Sequence, residues 1–144
     1  MTSFPRLAPH KWRPLVVAWA IALISSLAVL FIGEVMGQAP CDLCWFQRAF
    51  MFPLAIILGI AAFKSDSAVV PYGLALAAGG SLVAFYHLLL YAGVIPAPIV
   101  PCTGGPSCSG ESMAFGGVPL PLLSLAAFAL VLTLLLILHR RLKS

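Results

Sequence analysis

The chain has 144 residues, of which 62% are hydrophobic and 8% are charged, and this balance excludes an ordinary water-soluble domain. Its net charge of +4 does not indicate a nucleic-acid partner, because the basic residues flank apolar segments instead of forming a patch. Four apolar segments of about 20 residues, the length that crosses the hydrocarbon core as a helix, lie at 15–33, 45–63, 70–93 and 118–138. The sequence therefore predicts an all-α membrane protein, a four-transmembrane-helix bundle that forms a single domain over residues 1–144.

The positions of the basic residues predict how this bundle is oriented. The positive-inside rule assigns the side richer in Lys and Arg to the cytoplasm, which places both termini there and sends loops 34–44 and 94–117 to the outer face. These two loops hold all four cysteines, and outside the cytoplasm disulfides can form and persist. Seven of the eight Lys and Arg residues lie on the predicted cytoplasmic side: Arg6, Lys11, Arg13, Lys64, Arg140, Arg141 and Lys143.

The first cysteine pair is a C-x-x-C motif, Cys41 to Cys44, at the predicted amino end of the second helix. The unpaired amides and the positive dipole end at such a position stabilise an anion, which favours the reactive thiolate of Cys44. Arg48 lies one turn further along the same helical face, and its cation would favour the thiolate further. Arg48 could also donate hydrogen bonds to a quinone carbonyl oxygen, on which negative charge develops during reduction. Alternatively, Arg48 only extends its charged group to the membrane surface (snorkelling) or forms an ion pair with Glu34.

The third predicted helix carries one further candidate, His87, in its outer half. A histidine at this depth is either a hydrogen-bonded packing residue or a polar donor in a quinone site. Gly79, Gly80 and Ser81 in the same helix are small residues, and they predict close approach of another helix. The loop that follows is rich in Pro and Gly, which disfavours regular structure.

The second cysteine pair, Cys102 and Cys108, encloses five residues of this loop. Short rings can be strained, and strained disulfides are the more oxidising ones. Two pairs on one surface suggest a relay: a soluble dithiol reduces the loop pair, the loop pair reduces the C-x-x-C pair, and two electrons pass to quinone. Two structural disulfides remain an alternative, as does a four-cysteine zinc site, although four thiolates would have to gather at a lipid surface. No metal is predicted.

The run Pro40–Arg48 resembles the signature of the bacterial disulfide-bond formation protein B family, DsbB, and especially of its BdbC branch. The resemblance covers essentially the whole chain, and the motif around the first cysteine pair is its most specific part. In the best-known members the loop cysteines are widely separated, whereas the BdbC branch has a close pair, as here. The other similar positions are Met51, Pro53, Tyr86, His87, Cys102 and 121–125.

The resemblance implies an enzyme of the bacterial inner membrane, a thiol:quinone oxidoreductase that generates disulfides de novo. Its partner would be a periplasmic or exported thioredoxin-fold thiol oxidase of the DsbA type, and its electrons would pass to ubiquinone or menaquinone. Cys102 would be the target of the partner's thiol, with Cys108 as its pair, and Cys41 would exchange with the loop. The residues that would meet the quinone are Cys44, Arg48 and His87.

Two other functions are open at this point. A vitamin K epoxide reductase-like quinone reductase also joins loop cysteines to a membrane C-x-x-C, but in that family the C-x-x-C follows the loop pair, and here it comes first. A non-enzymatic membrane scaffold with two structural loop disulfides would have no need of Arg48 at its depth, so replacing Arg48 would leave a scaffold intact.

Overall fold

The computed structural model describes residues 9–96 and 114–144, so the second cysteine pair and most of the predicted loop 94–117 lie outside the described residues. The described elements are helix α1 (Pro9–Leu30), a π-helical turn (Phe31–Val35), α2 (Asp42–Lys64), α3 (Val70–Tyr91), strands β1 (Ala114–Phe115) and β2 (Val118–Pro119), and α4 (Leu120–Lys143).

Four of the described helices are long and apolar enough to cross a membrane, and they overlap the four apolar segments of the sequence. The predicted all-α fold with four membrane-spanning helices is therefore confirmed. The side of the membrane on which the termini lie stays a prediction. Helices dominate because hydrocarbon offers no partner for backbone amides and carbonyls, which must then be paired within each segment.

The second helix begins earlier than the apolar segment that predicts it. Asp42, Leu43 and Cys44, which the sequence places in loop 34–44, form the first turn of α2. Cys41 is the N-cap: its backbone is extended, and its sulfur accepts a hydrogen bond from the Cys44 amide at 3.3 Å. The cap thus satisfies one of the amides that a helix start leaves unpaired. Both cysteines therefore belong to the amino end of α2, with Cys41 as its N-cap and Cys44 in its first turn.

The segment before α4 contains a short hairpin that the sequence does not predict. Strands β1 and β2 are antiparallel, with Ala114 opposite Pro119 and Phe115 opposite Val118. Gly116 and Gly117 both have positive φ, which is the requirement of a tight two-residue hairpin turn. This hairpin leads directly into α4, which continues to Lys143 at its basic end.

Helices α1 and α2 run antiparallel, and so do helices α3 and α4, as three contacts between them show. The indole nitrogen of Trp12, near the start of α1, donates to the carbonyl oxygen of Ala62, near the end of α2, at 2.8 Å. A Cβ added at Gly73, early in α3, would lie 3.0 Å from the Leu135 side chain, late in α4. A Cβ added at Gly80 would overlap the ring of Phe128. The prediction that the small residues of α3 allow close helix packing is therefore confirmed at Gly80.

This arrangement collects the end of α1, the start of α2, the end of α3 and the start of α4 at one end of the bundle. The middle of the bundle is a closed apolar core, whose largest buried side chains include Leu15, Leu54, Leu58, Phe128 and Leu135. Large apolar side chains such as Ile24, Phe63 and Leu82 remain on the outer surface, as expected for helices that face lipid.

Candidate active site

The cysteine pair of α2 lies at the shared helix end described above. The Sγ atoms of Cys41 and Cys44 are 2.7 Å apart, so a movement of less than about 1 Å would bring them to disulfide bonding distance. Cys41 is buried and Cys44 is half-buried. The helix amino end and the cation of Arg48, one turn away, both favour a thiolate at Cys44. The pair can therefore exist as a dithiol or a disulfide without rearrangement of the backbone.

His87, from the end of α3, faces this pair. Its side chain is 1% exposed, and its Nε2 lies 3.8 Å from the Cys41 sulfur. On the other side of the ring, Nδ1 lies 2.9 Å from the amide nitrogen of Gln47. When that amide donates to Nδ1, the ring proton is on Nε2 and points at Cys41. His87 is thus held between Gln47 and the sulfur of Cys41.

Gln47 is a site residue that the sequence analysis misses. It lies three residues after Cys44, which places it on the same face of α2, and it is a polar side chain at membrane depth. Those two signals could have identified it. Its contact with His87, 40 positions away, depends on the packing of α2 against α3 and is not visible in the sequence.

Arg48 is held against the end of α1. Its side chain is 9% exposed, its Nη2 donates to the carbonyl oxygen of Val29 at 3.0 Å, and its guanidinium carbon lies 5.3 Å from the centre of the Trp45 ring. The π-helical turn Phe31–Val35 begins two residues after Val29, and such turns interrupt the regular hydrogen-bond pattern of an α-helix. A Cβ at Gly33 would lie only 3.1 Å from Nη2, so the absence of a side chain there makes room for the guanidinium.

A cavity of about 180 Å³ opens beside these groups. Cys44, Gln47, Arg48 and His87 line one part of it, and most of the remaining lining is apolar. Within the described ranges 9–96 and 114–144, the buried polar side chains are Ser26 and three of these four lining residues, so buried polarity is concentrated here. The apolar lining includes Val29, Ile32, Met51, Leu120 and Phe128.

Four of the six predicted site residues are therefore brought together: Cys41, Cys44, Arg48 and His87. The geometry leaves their chemical roles as predictions, but it places Cys44, Arg48 and His87 on the wall of one mainly apolar cavity, with Cys41 beside Cys44. The predicted site residues that lie outside the described residues are Cys102 and Cys108.

The described helices and the cysteine pair are those of a multi-pass membrane protein that carries two adjacent cysteines at one end of a four-helix bundle. The sequence profile of the family described as "Disulfide bond formation protein DsbB" matches residues 10–138. That match spans most of the chain, and the protein belongs to this family. The resemblance stated from the residues is thereby confirmed.

Individual relatives agree with the family assignment. The chain is 58% identical to a "Probable disulfide formation protein" of Metapseudomonas resinovorans over 139 residues, which cover 95% of this chain and 96% of the relative. It is 40% identical to "Disulfide bond formation protein C" of Bacillus subtilis over 119 residues, 82% of this chain and 86% of that one. A "Probable disulfide formation protein" of Deinococcus radiodurans is 40% identical over 131 residues, 84% and 85% of the two chains. No solved structure matches the chain.

The family assigns this protein a role in disulfide formation, and this role implies a thiol oxidase as a partner in general. The assignment favours disulfide formation over a vitamin K epoxide reductase-like activity and over a purely structural scaffold. Disulfide formation proceeds by exchange between thiolates and disulfides, and the cysteine pair at the start of α2 has the residue type that this chemistry requires.

Proposed function

We propose that this protein is a thiol:quinone oxidoreductase that generates disulfides de novo. It reoxidises an extracytoplasmic, DsbA-like thioredoxin-fold thiol oxidase and passes the electrons to ubiquinone or menaquinone in the membrane. The observation that carries the proposal is the convergence of Cys44, Arg48 and His87 on one mainly apolar cavity within membrane-spanning helices. The two electrons and two protons released when the partner's dithiol becomes a disulfide convert the quinone to a quinol.

The residues of the cavity suit a quinone. Its apolar lining suits the flat faces of a quinone ring, and its few polar side chains suit the two carbonyl oxygens of that ring. The Arg48 guanidinium has donors besides the one that the Val29 carbonyl accepts, and His87 adds a ring nitrogen. Cys44, Arg48 and His87 would hold the quinone, which when bound supplies an acceptor for two electrons and two protons.

The protein's own residues have separable tasks in this reaction. The helix terminus and Arg48 stabilise the Cys44 thiolate when its bond to Cys41 breaks. His87 holds a proton at Nε2, 3.8 Å from the Cys41 sulfur, where a leaving thiolate would need one. Gln47 fixes the ring in that orientation through Nδ1. The cavity wall is mainly apolar and lies among membrane-spanning helices, so thiolate and cation attract each other more strongly than they would in bulk water.

The first half of the relay rests on the sequence, because Cys102 and Cys108 lie outside the described residues. A thiolate of the partner attacks Cys102 and breaks its bond to Cys108, and the partner's second thiolate then releases the partner as a disulfide. One thiolate of the reduced loop pair attacks Cys41, which breaks the Cys41–Cys44 bond and leaves Cys44 as the thiolate. The second loop thiolate then attacks this mixed disulfide, which re-forms the Cys102–Cys108 bond and releases Cys41 as a thiolate. Each exchange forms one disulfide and breaks one, so no electrons are lost before the quinone.

The distribution of charge supports a bacterial inner-membrane location with the site on the extracytoplasmic side. Lys64, at the end of α2, and the basic last turn of α4 lie at the bundle end opposite to the cysteine pair. Because basic residues mark the cytoplasmic side, the cysteine pair would face outward, where an exported thiol oxidase can reach the loop cysteines.

Gly33→Ala tests the space that holds Arg48. The added methyl group would lie 3.1 Å from Nη2 and push the guanidinium from the Val29 carbonyl, so we expect kcat/KM for quinone to fall about tenfold. Gly73→Ala is the matched control, because it adds a methyl group to a packed helix far from the cavity. Equal losses in the two variants would show that general packing, and not the position of Arg48, causes the effect.

The experiment that tests the proposed function is anaerobic turnover of the purified protein in detergent with a reduced thioredoxin-fold dithiol partner. We expect ubiquinone or menaquinone to be reduced in equal amount to the partner disulfide that forms, and no oxidation of the partner when quinone is omitted. Partner oxidation that proceeds equally without quinone, or the absence of turnover with both quinones, would refute the proposal.

A further inference from the structure

The site contains a set of three potential metal ligands in addition to its redox pair. The two cysteine sulfurs, of Cys41 and Cys44, and one ring nitrogen of His87 all lie within 4.8 Å of one another. Tetrahedral zinc with about 2.3 Å bonds to sulfur and about 2.0 Å bonds to nitrogen separates its ligand atoms by roughly 3.5 to 3.8 Å. The Cys41 sulfur and His87 Nε2, 3.8 Å apart, already have this spacing. The sulfur pair at 2.7 Å would have to open by about 1 Å, which requires a side-chain rotation of half-buried Cys44.

The charges and the atom types of these three ligands determine which metal ion would bind them. Two thiolates and a neutral imidazole give a neutral complex with a divalent ion, and a neutral complex carries the smallest desolvation cost at membrane depth. Sulfur and imidazole ligands favour a soft or borderline ion such as Zn²⁺, whereas Mg²⁺ and Ca²⁺ require oxygen ligands. Arg48 lies beside the set, and a neutral complex would not be repelled by its charge.

Gln47 supplies the orienting contact that zinc-binding histidines usually have. Binding through Nε2 requires the ring proton on Nδ1, which then donates to an oxygen of a neighbouring group. The side-chain amide of Gln47 lies 2.9 Å from Nδ1, and half a turn of that amide presents its oxygen in place of its nitrogen. The same residue therefore suits both the metal-free ring, with its proton toward Cys41, and the metal-bound ring.

We propose that the reduced Cys41–Cys44 pair and His87 bind Zn²⁺, and that this binding reversibly inhibits disulfide formation. Binding releases the two thiol protons and transfers no electrons, so the metal holds the pair in its reduced state. The disulfide form offers no thiolates, and oxidation and metal binding therefore exclude each other. Because Cys44 and His87 line the cavity, the fourth position of the metal would open onto the proposed quinone site.

The inference rests on the proposed function in one respect, namely that the pair passes through a reduced state. The test of Zn²⁺ binding therefore needs neither quinone nor partner. Purified protein carrying Cys102→Ser and Cys108→Ser is reduced chemically, and Zn²⁺ is titrated against a chromophoric chelator. Co²⁺ serves as a second probe, since thiolate ligands give it a charge-transfer absorption. We expect one Zn²⁺ per chain in the reduced protein and none after oxidation of Cys41 and Cys44.

Variants separate this site from non-specific binding by a dithiol. Cys44→Ser should abolish Zn²⁺ binding, and His87→Ala should weaken it at least about tenfold, whereas His139→Ala in α4 should leave it unchanged. Gln47→Leu keeps all three ligands and should weaken binding by about tenfold or more through loss of the orienting contact. Helical content measured by circular dichroism establishes that each variant is folded.

A reduced, folded protein that binds no Zn²⁺ would overturn the inference, and so would equal affinity in the parent, His87→Ala and Gln47→Leu proteins. In the turnover assay Zn²⁺ should inhibit reversibly, with activity restored by a chelator. A protein that reduces quinone but binds no Zn²⁺ refutes this inference alone. A protein that binds Zn²⁺ through these three residues but reduces no quinone supports the site and refutes only the proposed function.

Discussion

Replacing Cys44 with Ser is expected to lower the rate of disulfide formation by at least about a thousandfold, to the uncatalysed background. Serine has nearly the same size and can occupy the first turn of α2, but its hydroxyl group can form no disulfide with Cys41, whose sulfur lies 2.7 Å away. The relay would then have no pair from which two electrons reach the cavity. The measurement is reoxidation of a reduced thioredoxin-fold partner by the purified variant in the presence of quinone.

Two further variants show at which step of the relay electron transfer stops. Cys102→Ser should also abolish turnover, but it should leave the Cys41–Cys44 pair oxidised in the presence of reduced partner, because the electrons never reach it. Ser81→Ala removes a hydroxyl group that bonds within α3, and it should leave activity unchanged. Substantial partner oxidation by Cys44→Ser, with normal folding, would contradict a role for this pair in electron transfer.

Replacing Arg48 with Met is expected to lower kcat/KM for quinone by about 10² to 10³. Methionine preserves much of the apolar stem but removes the charge and the donors that line the cavity. In the proposed reaction both would stabilise the Cys44 thiolate and the negative charge that develops on the quinone oxygen. Arg48→Lys should recover part of the loss, since it retains the charge without the planar arrangement of donors. Steady-state kinetics with varied quinone concentration measures the effect.

Arg13→Met is the matched control for this change. Arg13 is an exposed arginine near the start of α1, at the bundle end opposite to the cavity, so the same substitution there should leave the kinetics unchanged. Thermal stability in detergent should be recorded alongside, because Arg48→Met also removes the hydrogen bond to Val29. An Arg48→Met protein with full activity would assign Arg48 to a structural role.

Much of the fold was predictable because its determinants are local. A segment of apolar residues long enough to cross hydrocarbon must pair its own backbone groups, so the apolar segments of the sequence specify helices without knowledge of their neighbours. The same applies to Cys44 and Arg48, whose spacing of four residues places them on one helical face whatever the helix packs against. The cysteine motif and its neighbouring cation could therefore be identified before the structure was known.

The remaining parts of the site depend on which helices pack against each other and on how far each is shifted along its axis. Gln47 contacts His87 across 40 positions of the chain, and Arg48 reaches the Val29 carbonyl 19 positions away. The π-helical turn beside Val29 and the space at Gly33 have no sequence signature strong enough to predict them. The membrane helices, the cysteine pair and its adjacent arginine could be read from the residues alone, because they follow from hydropathy and from spacing along one helix. The contacts of His87 with Cys41 and with Gln47 became visible in the folded bundle alone, because side-chain packing between helices sets their relative height and rotation.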